Sequence, residues 1–320
     1  MKIQIIQGDA LAVIAQLPTE SVQCCVTSPP YWGLRDYGCD GQLGLERTPE
    51  EYVSRMVEVF REVRRCLRKD GTLWLNIGDS YAAQGGDHSV YNSNQPNTGA
   101  CRCHANGSGD KGTRSPAPGL KPKDLVGIPW RLAFALQADG WWLRSDIIWE
   151  KPNPMPESVL DRPTRAHEFI FLLTKSPRYY YDADAVREPY AAGSAERYEY
   201  AMQGTSPQCN QINGDVSRRE REKAIRPPNP LGRNRRDVWC IPSETFSEAH
   251  FATFPPDLIK PCILAGSKPG DTILDPFGGS GTTGMVALEL GRQALLIELN
   301  PEYVKLAESR CFVTPGLALA

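Results

Sequence analysis

The sequence predicts an α/β protein, a doubly wound and mostly parallel sheet with helices on both faces. Three observations carry that expectation. Short β-branched runs alternate with helix-periodic segments, a glycine-rich turn (Asp275 to Gly284) leads from a strand into a helix, and an acidic residue, Glu298, closes the following strand. The 320 residues fit two domains, or one large domain with insertions, at about 150 residues per domain. Hydrophobic residues at 41% and charged residues at 23% exclude collagen, coiled coil and wholesale disorder.

The elements follow in order. Ile3 to Gln7 is a short strand broken by Gly8-Asp9, and Ala10 to Leu17 has helical apolar spacing ended by Pro18. Val22 to Thr27 is an apolar strand stopped by Ser28-Pro29-Pro30, because successive prolines cannot donate to a central ladder. Pro49 to Leu67 places Tyr52, Val53, Met56, Val57, Phe60, Val63 and Leu67 on one helix face, with Lys69-Asp70-Gly71 as its stop. Thr72 to Ile77, Trp141 to Trp149 and Phe169 to Thr174 read as strands, and Gly127 to Ala138 as a helix. Near the end come a helix at Pro256 to Leu264, a strand at Thr272 to Leu274, a helix at Met285 to Leu290, a strand at Gln293 to Ile297 and a helix at Glu302 to Arg310.

Two stretches interrupt this alternation. Residues 84–121 are dominated by Gly, Ser, Asn, Pro and Asp and read as a flexible polar surface loop. From 184 to 248 the periodicity weakens and basic residues gather. Between Ser217 and Arg236 lie Arg218, Arg219, Arg221, Lys223, Arg226, Arg233, Arg235 and Arg236 against Glu220 and Glu222, a local balance of +6. Such a cluster serves either as a solvated face or as a phosphate-binding surface, since Lys and Arg supply the sequence-independent part of nucleic-acid affinity. The overall charge of −2 therefore does not exclude a nucleic-acid partner. The organisation expected is a main domain from 1–183 and 249–313 and a small inserted domain at 184–248.

The longest apolar runs, such as Phe169 to Leu173, fall far below the ~18 residues of a membrane span. The start, Met1-Lys2-Ile3-Gln4-Ile5-Ile6, lacks the pattern of a signal peptide, so a cytoplasmic protein is expected. Ten irregularly spaced cysteines then read as reduced thiols, and four histidines leave little for metal binding. Cys101-Arg102-Cys103-His104 offers soft ligands without a second spaced pair, so no metal is expected. Pro261-Cys262 falls on a helix and reads as a buried structural thiol.

The sharpest chemical signal is the strand, glycine turn and helix at Thr272 to Leu290. Gly278, Gly279 and Gly281 bring a ligand close to backbone N–H groups at a helix start. A triphosphate is disfavoured because the loop lacks the P-loop lysine, and the glycine spacing departs from the dinucleotide fingerprint. Glu298, about twenty residues on, suits two ribose hydroxyls, and Asp275 suits a positively charged ligand better than a phosphate. S-adenosylmethionine meets these demands together, with helix packing as the alternative reading of the glycines. The second signal is Ser28-Pro29-Pro30-Tyr31-Trp32 after a buried strand. Its prolines stiffen the chain so that the Ser28 hydroxyl and Pro29 carbonyl form a fixed acceptor pair beside an aromatic surface, a pocket suited to the amino group of a planar base.

With both motifs in view, the sequence resembles the amino-group DNA methyltransferases in their β arrangement, in which the catalytic motif precedes the cofactor motif. Ser28-Pro29-Pro30-Tyr31 is similar to their catalytic motif and Phe277-Gly278-Gly279-Ser280-Gly281 to their cofactor motif. Arg61 to Gly78, Trp149 to Pro156, Arg165-Ala166-His167-Glu168 and His250 to Pro255 support the resemblance, which covers Ile3 to Asp182 and Ala249 to Arg310. It implies a Rossmann-like fold with circularly permuted motifs. In the S-adenosylmethionine site it implies Asp9 on the adenine and Glu298 on the ribose. Asp275, Phe277 to Thr282 including Ser280, and Phe254 would hold the methionine end.

The same resemblance implies that Ser28, Pro29, Pro30, Tyr31 and Trp32 hold a flipped base of double-stranded DNA. The basic segment, with Arg218, Arg219, Arg233, Arg235 and Arg236, becomes the recognition region. A homodimer and a cognate restriction nuclease are compatible partners. Ser28 stands where adenine enzymes of this family more usually carry Asp or Asn, which favours N4 of cytosine over N6 of adenine. A DNA-binding protein on a non-catalytic methyltransferase fold is the alternative of another class, and the two intact motifs favour the enzyme.

Overall fold

A computed structural model of the chain describes residues 2–82, 117–191, 193, 229–243 and 254–312. Most of the 84–121 loop, Cys101 to His104, Arg218, Arg219 and His250 to Thr253 lie outside the described residues. The chain forms two compact units, Met1–Tyr181 with Asp237–Ala320, and Asp182–Arg236.

The larger unit is built on an eight-stranded sheet of order β1-β8-β7-β2-β3-β5-β4-β6. Its strands are β1 (Ile3–Gln7), β2 (Val22–Thr27), β3 (Leu67–Ile77), β4 (Trp142–Glu150), β5 (His167–Thr174), β6 (Val238–Cys240), β7 (Thr272–Asp275) and β8 (Gln293–Glu298). All neighbours pair in parallel except β5, which runs antiparallel to both β3 and β4. Val238–Cys240, which the sequence places in the 184–248 region, is the edge strand of this sheet, paired with Ile148–Glu150.

Two groups of helices flank the sheet. Helices α1 (Ala10–Ile14), α2 (Pro49–Cys66) and α3 (Ile128–Ala138) pack on one another, as do α4 (Pro256–Gly266), α5 (Thr282–Glu289) and α6 (Pro301–Cys311). Helix α2 anchors its group through the fully buried Tyr52, Met56, Phe60 and Val63. It begins where the periodicity places it. Thr48 Oγ1 accepts from the Glu51 N–H (3.2 Å) while Glu51 accepts from the Arg47 N–H (3.0 Å), and Pro49 fills the first turn.

Lys69-Asp70-Gly71, expected to end α2, instead forms an outward excursion within β3. Leu67 pairs with Val22 and Thr72 with Cys24, so the residues between loop out of register. Helix α1 ends at Ile14, short of Leu17, and its cut-off carbonyls accept from the Arg65 guanidinium. Cys262 is buried in α4 beside Pro261, as a structural thiol should be.

Among the described residues no helix is long and apolar enough to cross a membrane. No group of three His, Cys, Asp or Glu among them has metal-holding geometry.

Candidate active site

Because β1, β8, β7, β2 and β3 run parallel, Asp9, Glu298, Asp275 and Ser28 all emerge at one edge of the sheet, the C-terminal one where open α/β sheets bind ligands. A buried carboxylate joins two of these strand ends. Asp275 is 1% exposed and accepts from the hydroxyls of Thr27, the last residue of β2, and Thr283 in α5, each at 2.6 Å. The Phe277 N–H adds a third bond at 3.1 Å. Burial pushes the Asp275 carboxyl up to about 6 even against these donors. Both its oxygens are thus bonded within the protein, which ties β2, β7 and α5 together.

The glycines divide into two kinds. A Cβ on Gly281 would lie 2.9 Å from the Ala307 Cβ, and one on Gly284 2.7 Å from the Ile3 Cδ1, so these glycines permit close packing on α6 and β1. Gly279 differs: its φ of +50° favours glycine, yet a Cβ there would meet only the Phe277 carbonyl, at 3.9 Å. Open space therefore lies over Gly279. Next to it, Glu298 accepts from the Gly279 N–H and the Asn300 N–H, both at 2.8 Å. Burial raises the Glu298 carboxyl above its ordinary range, against the backbone N–H groups of Asn300, Gly279 and Leu299. Of about four acceptor sites on a carboxylate, one is then left for a ligand.

Other expected cofactor residues sit as follows. Asp9 caps α1 through the Ala12 N–H (2.9 Å) and is otherwise exposed. Ser280 and Thr282 are buried, and their hydroxyls accept from Arg310 Nη1 at 2.6 and 3.2 Å. Phe277 is half-buried against the core, and Phe254 is half-buried just ahead of α4.

At the end of β2, Pro29 is buried and Ser28 half-buried. Tyr52 Oη donates to the Pro30 carbonyl (2.9 Å), which fixes the proline pair from α2. Trp32 is not the free stacking surface expected from the sequence: it is 9% exposed within the core and its indole N–H donates to the Glu46 carbonyl at 2.9 Å. Tyr31 is held by a polar cluster instead. Its hydroxyl accepts from Ser28 Oγ (3.3 Å) and donates to Glu168 Oε2 (2.7 Å), and Glu168 pairs with Lys151. Asn76 Nδ2 also donates to Glu168 (3.3 Å). Sequence reasoning marks the stretches holding Lys151, Glu168 and Asn76 without giving these residues work, and it does not single out Arg310.

In the smaller unit, Glu188 and Arg233 exchange backbone hydrogen bonds (3.0 and 2.9 Å), and the Glu188 carboxylate accepts from Arg233 Nε (3.1 Å) and Arg236 Nε (3.2 Å). Two of the basic residues expected to meet DNA therefore share one acidic partner that lies outside the basic run itself.

Fold and strand ends together define a class, a Rossmann-like α/β protein whose glycine turn, Glu298 and Ser-Pro-Pro turn gather at the C-terminal edge of one mostly parallel sheet. A family model of N6/N4 DNA methylases matches residues 22–309, and the chain belongs to this DNA methyltransferase family, whose methyl donor is S-adenosylmethionine. The chain is 50% identical over 307 residues to the Type II methyltransferase M.Cfr9I of Citrobacter freundii, covering 96% of this chain and 86% of that protein. It is 47% identical over 308 residues to M.SmaI of Serratia marcescens, covering 96% and 90%. Among solved structures it superposes on the cytosine-N4-specific PvuII DNA methyltransferase with a TM-score of 0.62 at 19% identity, over 99% of this chain and 89% of that one. A putative DNA modification methylase of Thermus thermophilus, solved with S-adenosyl-L-methionine, gives 0.57 at 24% identity, over 96% and 92%.

Proposed function

We propose that this DNA methyltransferase acts on the N4 amino group of cytosine in double-stranded DNA. Ser28, Pro29, Pro30 and Tyr31 form the amine pocket. Asp9, Phe254, Phe277, Gly278, Gly279 and Glu298 form the cofactor site. The observation that carries this reading is the 2.6 Å bond from Thr27 to Asp275, which ties the residue before the amine pocket to the residue opening the glycine turn. Methyl acceptor and methyl donor then meet across adjacent strands.

The residues fit the cofactor: the open space over Gly279 admits a ligand against backbone, and the Glu298 carboxylate retains acceptor capacity for a ribose hydroxyl. When bound, S-adenosylmethionine supplies an electrophilic methyl group. The chain's own residues do the rest. The Ser28 hydroxyl and Pro29 carbonyl accept the amino protons and localise the nitrogen lone pair, which conjugation otherwise spreads into the ring. The base must leave the duplex to reach them, and with Trp32 in the core, stacking falls to Tyr31.

Cytosine is favoured over adenine because the motif opens on Ser28 rather than on Asp or Asn. The region 182–236 is the target-recognition unit in this reading, with Arg233, Arg235 and Arg236 on the phosphates. The Type II names of the relatives support a restriction–modification setting with a cognate nuclease, and a homodimer is compatible with it. Sequencing modified positions in DNA from cells expressing the chain tests the proposal. N4-methylcytosine at one short recurring sequence is expected, N6-methyladenine would overturn the base assignment, and unmodified DNA would overturn the activity.

A further inference from the structure

Methylation of an exocyclic amine leaves a nitrogen that must shed a proton, and neither the Ser28 hydroxyl nor the Pro29 carbonyl can keep it. From Ser28 a chain of oxygens leads inward. Ser28 Oγ donates to Tyr31 Oη at 3.3 Å, and Tyr31 Oη donates to Glu168 Oε2 at 2.7 Å. The other Glu168 oxygen pairs with the Lys151 ammonium, which also lies 4.2 Å from the centre of the Trp149 ring. Asn76 Nδ2 bridges Glu168 Oε2 (3.3 Å) and the Phe169 carbonyl (3.2 Å), so the carboxylate is fixed both from β3 and from Lys151, the residue that follows β4.

Two features suit this chain to passing a proton. A Cβ at position 78 would lie 2.7 Å from Tyr31 Cε2, so Gly78 is what lets the ring reach Glu168. Burial and the Glu168 charge push the Tyr31 phenol well above its ordinary range, so Tyr31 relays a proton without ionising. Beside Glu168 on β5, His167 interacts with its charge and has its own ionisation depressed by burial, while Arg165, just before the strand, is directed to Asp79 (3.9 Å).

We propose that Glu168 is the terminal acceptor of the proton released by methyl transfer, reached from the amine through the Ser28 and Tyr31 hydroxyls. This rests on Ser28 to Tyr31 being the amine pocket. As the N–H proton passes to Ser28 Oγ, the Ser28 proton passes to Tyr31 Oη and the Tyr31 proton to Glu168 Oε2. Both hydroxyls are regenerated, the carboxylate becomes a carboxylic acid, and the positive charge that leaves the amine is replaced beside Lys151. Glu168 later gives the proton to solvent. By this account Glu168 and Lys151 touch neither base nor cofactor, and act through Tyr31.

The test uses the purified full chain with S-adenosylmethionine and unmethylated genomic DNA. It measures kcat and KM for the wild type, Glu168→Gln, Tyr31→Phe and the double variant, with cofactor affinity by calorimetry. Glu168→Gln should lower kcat by about 100-fold. KM and cofactor affinity should stay within about twofold, so that the loss falls on kcat alone. The double variant should be no slower than Glu168→Gln alone, because the two residues act in series. Wild-type kcat in Glu168→Gln would overturn the relay. If that variant does not fold, full activity of the near-isosteric Tyr31→Phe overturns it instead. Full activity in Ser28→Ala would overturn the pocket reading beneath it, whereas inactive Ser28→Ala with fully active Glu168→Gln removes the relay alone.

Discussion

Asp275 and Glu298 end neighbouring strands and answer to different demands. Asp275 spends both oxygens on Thr27, Thr283 and Phe277 and is raised to about 6 by burial, so its protonated form is the one folding favours. Its contribution to stability is therefore greatest below the unfolded value of 3.8 and is lost as pH rises to about 6. That amounts to about 3 kcal/mol at one pKa unit per 1.36 kcal/mol. An NMR titration of the Asp275 carboxyl should give a midpoint near 6; a midpoint in the ordinary carboxylate range would contradict the account. Glu298 instead binds the N–H of Gly279, the glycine with open space over it. Glu298→Ala should weaken S-adenosylmethionine binding by about 1–3 kcal/mol, the worth of hydrogen bonds to a charged acceptor. Unchanged affinity in a folded variant would remove the ribose assignment.

At the scale of elements, the glycine turn shows what sequence reasoning separates and what it merges. The strand, turn and helix are legible in Thr272 to Leu290, as is the acid at the end of β8. The sequence does not tell Gly279, which leaves room for a ligand, from Gly281 and Gly284, which leave room for α6 and β1. That distinction depends on residues from remote parts of the chain, Ala307 and Ile3. Gly281→Ala meets both a φ of +82° and the Ala307 Cβ, so it should cost about 1–3 kcal/mol of stability. Gly279→Ala, with no collision, should cost less stability and more cofactor affinity. Denaturant melts and calorimetry on the pair check this, and equal losses of stability would contradict it.

The reversal of β5 has a readable signal. Pro152, Pro154, Pro156 and Pro163 bar a crossover helix between β4 and β5, and without one an antiparallel return is favoured. Trp32 departs from its expected place because a tryptophan beside a Ser-Pro-Pro turn gives no sign of burial. Its position is decided by the Glu46 carbonyl it finds in the following loop. Glu168 can be located from its motif, but its bond to Tyr31 exists only once β3 and β5 are paired.

At the scale of the whole molecule, a methyltransferase must couple a base-holding edge to a surface that finds the site in DNA. The basic run has a local balance of +6, but Glu188 accepts from both Arg233 and Arg236 and returns part of that charge. The double variant Arg233→Gln/Arg236→Gln should weaken DNA binding, and it should reduce the salt slope by less than the value of roughly 2 expected of two unshared phosphate contacts. An unaltered slope would show that these arginines serve the smaller unit's own structure.

The Ser28 pocket is proposed to methylate an exocyclic amine, that of cytosine. The most direct measurement is to treat unmethylated DNA with the purified protein and S-adenosylmethionine, digest it to nucleosides and identify the product by mass and retention against standards. The expected product is N4-methylcytosine, absent when Ser28→Ala replaces the wild type. N6-methyladenine alone would mean that Ser28 does not select the base, and abundant 5-methylcytosine, which requires attack at carbon, would contradict the mechanism altogether.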